Sequence, residues 1–338
     1  MKNILLNLLS PELNNNVIFQ PGDINNLNEP FIVLKEKLAS LGYDIKTTDN
    51  HSLDNCAWVL FIDFPPQSKD KKNKTRNLYQ ECLTNDLENK MALFLWEGKP
   101  IKPQNYSSAV YGKFKYIFTW RDDLVDNKKF FKFHLPIPKR KIITKEIPFD
   151  QKKLLVNISA NKFSSVKGEM FSARRQSVRF FQKNYPQNFD LYGPKWNKPN
   201  NAWQKIFPWL IEKFPNHRGI SYDKITTLSG YKFSLCYENL ASEPGFITEK
   251  IFDCLVAKTV PIYLGATNIE NYIDPASFID RRQFKTDQEL ADFITSINEK
   301  SYNKYLEAMD KCLAGEKYKL FLPENFANTI IKVLKLNT

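Results

Sequence analysis

Short apolar runs and helical stripes alternate along the first half of the chain. In PFIVLKEKLASLG the residues Phe31, Leu34, Leu38 and Leu41 recur at helical spacing and predict a helix that stops at Gly42. Continuous apolar runs at 59–63 (VLFID), 92–96 (ALFLW) and 116–120 (YIFTW) read as parallel strands covered on both faces. The stretch 130–148, FFKFHLPIPKRKIITKEIPF onward from its first phenylalanine, combines prolines with a basic run and reads as a connection between domains, with the boundary near Pro148. A second series then begins. It predicts strands at 154–160, 189–193, 233–239 and 259–265, a helix over 172–183, and a helical stripe of Tyr302, Tyr305, Met309 and Leu313.

This rhythm predicts an α/β fold of two Rossmann-like doubly wound domains, residues 1–148 and 149–338, facing a central cleft, with the C-terminal helix able to pack back on the first domain. Ligands are expected at the carboxyl ends of the strands. No GxGxxG follows the first strand, so a dinucleotide is not indicated, and the outline alone leaves function open.

Composition narrows the classes. The 338 residues are 42% apolar and 25% charged, values of an ordinary folded protein and not of a disordered one. The formal net charge of +12 would attract any polyanion, but the lysine-rich run 69–74 has no interleaved aromatic residues and reads as a solvated loop, so nucleic acid is not an expected partner. Cys56, Cys82, Cys236, Cys254 and Cys312 stand singly, without CxxC spacing, as reduced core thiols would. His51, His134 and His217 lie far apart and lack metal-ligand spacing, which argues against a zinc site or a hydrolytic triad. The opening MKNILLNLLSPEL is too short for a membrane span and poor as a signal peptide, and the sequons at Asn73, Asn105 and Asn157 carry no weight. A cytoplasmic protein is expected, at most peripheral at the inner membrane.

The most legible local chemistry lies in 231–279. A strand, FSLCYEN, leads through a polar loop with Pro244 and Gly245 to a helix whose first turn carries Thr248, Glu249 and Lys250, while Ile251, Phe252, Leu255 and Val256 face inward. Unpaired N–H groups at a helix start attract anions, so a diphosphate would be held there by backbone and Lys250 together, with Glu249 placed to accept from ribose hydroxyls. The residues alone favour a plain cap at Thr248, a dipole-favouring Glu249 and a surface lysine.

YKFSLCYEN, GFITEKIFD and PIYLG, in that order, resemble the signature of the α1,3/1,4-fucosyltransferase family, and LLVNISANKFS, SARRQSV, FDLYG, LFLWEGKPIKPQNY and IFTWRDDL extend the resemblance over most of the chain except its start. The resemblance implies a GT-B architecture in which the second domain holds GDP-fucose and the first an N-acetyllactosamine-type or related glycan acceptor. It puts Lys250 and Arg175, chosen over the adjacent Arg174, on the diphosphate, Glu249 on the ribose, and Asn239 and Phe246 along the donor pocket, where many relatives carry tyrosine in place of Phe246. It also implies Glu97 as the general base for inverting transfer to O3, alternatively O4, of N-acetylglucosamine, in Glu97-Gly98-Lys99-Pro100 where the family has a Glu-x-Pro type segment.

No cofactor or metal is expected, and Asp122-Asp123 reads as a helix cap or loop salt bridge and not as a metal-binding DxD. A GT-B transferase with another nucleotide sugar, or a non-catalytic relative that binds glycan or nucleotide, are the competing expectations. The closing ENFANTIIKVLKLNT has no heptads and supports neither coiled-coil dimerisation nor strong membrane anchoring, which leaves the oligomeric state open.

Overall fold

A computed structural model of the chain describes residues 2–22, 24–65, 77–144, 147–199, 202–241 and 243–336, so the lysine run 69–74 and the sequon at Asn73 lie outside the described residues. The chain divides into two units, Met1–Lys139 with Leu320–Thr338, and Arg140–Lys319. The change of unit at Arg140 thus falls inside the proline-rich 130–148 stretch, and the last helix returns to the first unit.

The first unit is built on six parallel strands: β1 (Lys2–Asn7), β2 (Tyr43–Thr47), β3 (Cys56–Ile62), β4 (Met91–Leu95), β5 (Tyr116–Thr119) and β6 (Phe130–Lys132), in the order β2-β1-β3-β4-β5-β6. The strands read at 59–63, 92–96 and 116–120 are β3, β4 and β5, and most of their apolar side chains are buried as expected of a sheet covered on both faces. Three strands, β1, β2 and β6, escape the sequence pattern. The opening stretch forms β1, with Ile4, Leu5 and Leu6 buried, and β6 lies within the supposed connection, as an edge strand whose residues are all half-buried. The helix Glu29–Ser40 buries Phe31, Leu34 and Leu38, but Leu41 is 39% exposed because the helix ends at Ser40 and Gly42 turns the chain with φ +82°. The C-terminal helix Pro323–Val333 packs against it, Phe326 meeting Phe31 edge-on at 5.6 Å.

The second unit has five parallel strands: β7 (Lys153–Ile158), β8 (Phe189–Tyr192), β9 (Tyr231–Tyr237), β10 (Val260–Leu264) and β11 (Ile279–Asp280), in the order β11-β10-β9-β7-β8. Central β9 has six of its seven residues buried, and the helix Glu249–Val256 after it buries Ile251, Phe252, Leu255 and Val256, the face its sequence predicts. In the helix Glu299–Ala314, Tyr302, Met309 and Leu313 are buried and Tyr305 half-buried. Four of the five cysteines, Cys56, Cys82, Cys236 and Cys254, are buried, and Cys312 is half-buried. Among the described residues no helix is long and apolar enough to cross a membrane.

Candidate active site

In the second unit the chain leaves the carboxyl end of β9 at Glu238 and re-enters helix at Glu249, so the helix start and the strand end meet. Glu238 is fully buried, and its carboxylate accepts from the Thr248 amide at 2.9 Å, the Thr248 hydroxyl at 2.9 Å and Lys250 Nζ at 3.0 Å. Thr248 is the helix N-cap, and its hydroxyl also accepts from Lys250 Nζ at 2.9 Å. Two of the three Lys250 donors are therefore engaged inward, leaving one for a ligand. Burial would lower the Lys250 pKa, yet Glu238 and Glu249 beside it raise it above the ordinary lysine value.

Gly265 closes this arrangement from β10. A Cβ there would meet Tyr263 Oη at 2.2 Å and Glu238 Cγ at 2.7 Å, so only glycine lets the strand pass the buried carboxylate. The backbone is also fixed, the Glu238 amide donating to the Leu264 carbonyl at 2.8 Å.

Glu249 is half-buried, with Lys224 Nζ 3.8 Å from its carboxylate. Burial would raise its pKa, but the charges of Lys250 and Lys224 prevail and hold it down to about 2. Lys224 also approaches Asp253 at 3.6 Å, and Arg140 Nε reaches the other oxygen of Asp253 at 3.3 Å. A small cavity of about 30 Å³ is lined by Ser159, Arg174, Lys224, Lys250 and Asp253 among others, placing three cations around one space.

The two adjacent arginines of the helix Phe171–Asn184 diverge. Arg174, 3% exposed, donates to the Tyr237 and Glu238 carbonyls at the end of β9, and its Nε is buried without a hydrogen-bond partner among the described residues. Arg175 donates to the Lys162 carbonyl and to Ser172 Oγ, and its guanidinium lies 4.0 Å from the Phe163 ring centroid. The structure thus brings Arg174 together with Lys250 around the cavity and directs Arg175 toward Lys162 and Phe163. Asn239 is half-buried, its carbonyl accepting from the Met170 amide at 3.1 Å, and Phe246 is buried at 2% exposure. Glu238 and Arg174 are the participants that sequence reasoning did not select. The polar residue closing an otherwise apolar strand was the available signal for Glu238.

In the first unit Glu97 follows β4 by two residues and is half-buried. Its backbone is clamped on both sides. The amide donates to Asp63 Oδ1 at 3.1 Å, and the carbonyl accepts from Tyr106 Oη at 2.7 Å. Asp63, 3% exposed, also accepts from the Trp96 amide at 2.8 Å and from Asn105 Nδ2 at 2.6 Å. It takes this position at the end of β3 with φ +61°, a left-handed conformation that Asp and Asn tolerate better than other side chains. Burial pushes its carboxyl up to about 6 against these hydrogen bonds. Asp122 and Asp123 form the loop ion pairs read from the sequence, with Lys132 at 2.6 Å and Arg121 at 2.5 Å. Among the described residues no group of three or more His, Cys, Asp or Glu side chains is arranged to hold a metal ion.

Residues 158–321 match the family model described as glycosyltransferase family 10 (fucosyltransferase) C-term. The chain is 39% identical over 87 residues to an alpha-(1,4)-fucosyltransferase of Arabidopsis thaliana, covering 25% of this chain and 21% of that protein. It is 38% identical over 82 residues to the alpha-(1,3)-fucosyltransferase FucT of Helicobacter pylori, covering 24% of this chain and 17% of that one. The matched stretch thus spans about a fifth of the length of these curated relatives.

In fold, the chain is similar to a crystal structure of an alpha1,3-fucosyltransferase with GDP, at a TM-score of 0.57 and 15% identity, covering 100% of this chain and 91% of that one. It is also similar to the DNA-modifying enzyme beta-glucosyltransferase, at 0.54 and 14% identity, covering 99% and 100%. Both likenesses concern the fold, the pair of parallel-sheet α/β domains of GT-B glycosyltransferases. The stretch that carries Arg174, Glu238, Glu249 and Lys250 thus matches, as the sequence resemblance implied, the glycosyltransferase family 10 (fucosyltransferase) C-terminal domain.

Proposed function

We propose that this chain is an inverting, metal-independent fucosyltransferase that moves L-fucose from GDP-β-L-fucose to O3, alternatively O4, of N-acetylglucosamine in an N-acetyllactosamine-type glycan. The observation that carries the reading is Lys250, held by Glu238 and Thr248 at a helix start behind the central strand of a family 10 domain, with one N–H donor left for an anion. A diphosphate would take that donor at the positive end of the helix dipole. Glu249 would accept from the ribose hydroxyls, and Asn239 and Phe246 would flank the donor.

In the proposed step the acceptor oxygen attacks the anomeric carbon from the face opposite the diphosphate while Glu97 removes its proton. The bond from the anomeric carbon to the diphosphate oxygen breaks, and GDP departs with the electron pair. Fixed cations stabilise the charge that grows on it. Arg175 is the proposed arginine partner of Lys250. Arg174 is the second candidate, because it lines the same small cavity as Lys250. Cytoplasmic action is the proposed setting, supported by cysteines that stand singly along the chain and are mostly buried.

The test is incubation with GDP-fucose and N-acetyllactosamine, following GDP release and the linkage formed. Acceptor-dependent GDP release with an α-linked fucoside is expected. Tight GDP-fucose binding without turnover would identify a non-catalytic relative. Displacement of GDP-fucose by UDP-sugars or GDP-mannose at comparable concentration would overturn the donor assignment.

A further inference from the structure

The second unit displays an aromatic surface that the proposed reaction does not use. Of the six tryptophans in the chain, Trp120 and Trp196 are buried and Trp58 and Trp96 half-buried, whereas Trp203 is 68% and Trp209 75% exposed. Between them Ile206 is 64% exposed, and Leu210 beside them 53%. Neither a core nor the donor chemistry accounts for this concentration of solvent-facing indole and aliphatic surface in eight residues, 203–210.

The segment is built to hold these side chains outward. Trp203 stacks on Phe207 with centroids 6.1 Å apart and 9° between planes, and Phe207 packs on Trp209 at 5.1 Å. The Phe207 amide donates to the Trp203 carbonyl at 2.8 Å, the Leu210 amide to Phe207 at 3.0 Å, and Gln204 Nε2 to the Leu210 carbonyl at 3.1 Å. The base is tied to the helix Phe171–Asn184 by Arg179, which donates to both oxygens of Glu212 at 2.5 and 2.7 Å.

Charge identifies the partner. Between 195 and 213 the chain carries exposed Lys195, Lys198, Lys205 and Lys213, and the single acidic residue there, Glu212, is neutralised by Arg179. Indoles that sit at a water–hydrocarbon boundary, aliphatic side chains and exposed lysines close in sequence fit an anionic bilayer surface. A second copy of the same face would bring like charges together. A single-stranded nucleic acid would use aromatic faces for stacking, yet Trp203 and Phe207 each cover one face of the other, and the exposed aliphatic Ile206 and Leu210 offer bases nothing to stack on.

We infer that the 203–210 knob is a docking surface for an anionic lipid membrane, inserting Trp203, Ile206, Trp209 and Leu210 at the headgroup level. This inference does not depend on the identity of the sugar donor. The experiment is co-sedimentation with vesicles of phosphatidylcholine alone or mixed with phosphatidylglycerol, together with quenching of tryptophan emission by brominated lipid.

Wild type is expected to bind the phosphatidylglycerol vesicles, with salt-dependent affinity and quenched emission. Trp203→Ser with Trp209→Ser is expected to weaken binding by about tenfold or more, since each exposed indole contributes burial on docking. Lys198→Glu with Lys205→Glu and Lys213→Glu should abolish the preference for anionic lipid and keep the circular dichroism of wild type. Absence of vesicle binding by wild type, unchanged binding by the tryptophan variant, or a requirement for the same tryptophans in self-association or oligonucleotide binding would overturn it.

Discussion

Asp63→Asn offers a sharp test of how the Glu97 loop is held. The native carboxyl is 3% exposed, and burial moves its pKa from the ordinary 3.8 to about 6, despite bonds from the Glu97 and Trp96 amides and from Asn105. A carboxyl whose folded pKa is raised favours the folded state most when protonated. Its contribution is therefore fully present below pH 3.8 and lost as pH rises through about 6. The displacement corresponds to about 3 kcal/mol at neutral pH, the cost of burying the charge.

Asparagine keeps an Oδ1 acceptor for the three short bonds, tolerates φ +61°, and gives up only the long 3.4 Å contact from the Glu97 amide to Oδ2. The variant is thus expected to be as stable as wild type near pH 4 and more stable, by up to about 3 kcal/mol, near pH 8. Denaturant unfolding of the first unit's signal at several pH values measures this difference. Parallel stability profiles for variant and wild type would refute the reasoning, and so would a loss of stability at pH 8. The same variant should keep transfer activity, since the Glu97 backbone stays clamped.

Glu97→Gln should lower transfer by about 100- to 10,000-fold while GDP binding stays near wild type, as removal of a general base does; turnover within a few-fold of wild type would move the base elsewhere. Glu249→Ala should weaken GDP far more than 2′,3′-dideoxy-GDP in calorimetric titrations, and equal losses would reduce Glu249 to support of the helix start. Initial rates should be unaffected by excess EDTA and strongly reduced in Lys250→Ala and Arg175→Ala; loss with EDTA and recovery with manganese would direct attention to Asp122 and Asp123. A nearly neutral Arg175→Ala beside an inactive Arg174→Ala would transfer the phosphate role to the arginine that lies at the β9 terminus.

The sequence discloses those features that depend on periodicity and misses those that depend on partners far along the chain. Long apolar runs betray β3, β4, β5 and β9, because a parallel strand covered on both faces needs an unbroken row of apolar side chains. The strand β1 offers only Ile4, Leu5 and Leu6 to bury and owes its place to pairing with residues 43–47 and 56–61, which no local pattern encodes. An edge strand with half-buried residues, β6, reads as linker for the complementary reason: one missing neighbour removes the need for an apolar row.

The same distinction governs the site. Thr248, Glu249 and Lys250 are legible because a cap and a first turn are local, and Lys250 accordingly reads as a lone cation at a helix start. Glu238 lies twelve residues earlier, and its meaning arises only when β9 and β10 pair in the register Tyr237 with Leu264 and Gly265 leaves room for its side chain. Arg174 and Arg175, neighbours in sequence, are about 100° apart around a helix, so one reaches the strand end and the other Lys162. Assembled, the positive charges of Arg174, Lys224 and Lys250 are set against Glu238, Glu249 and Asp253. With Arg140 also on Asp253, four cations face three carboxylates, so most of the positive charge is already paired. An anion arriving there must add to Lys250 through its remaining donor, or displace Glu238 from it, and displacement would strand a fully buried carboxylate. Addition is the less costly route. It makes Glu238 a fixed counter-charge that holds the lysine in place for the ligand, a role that no spacing along the chain announces.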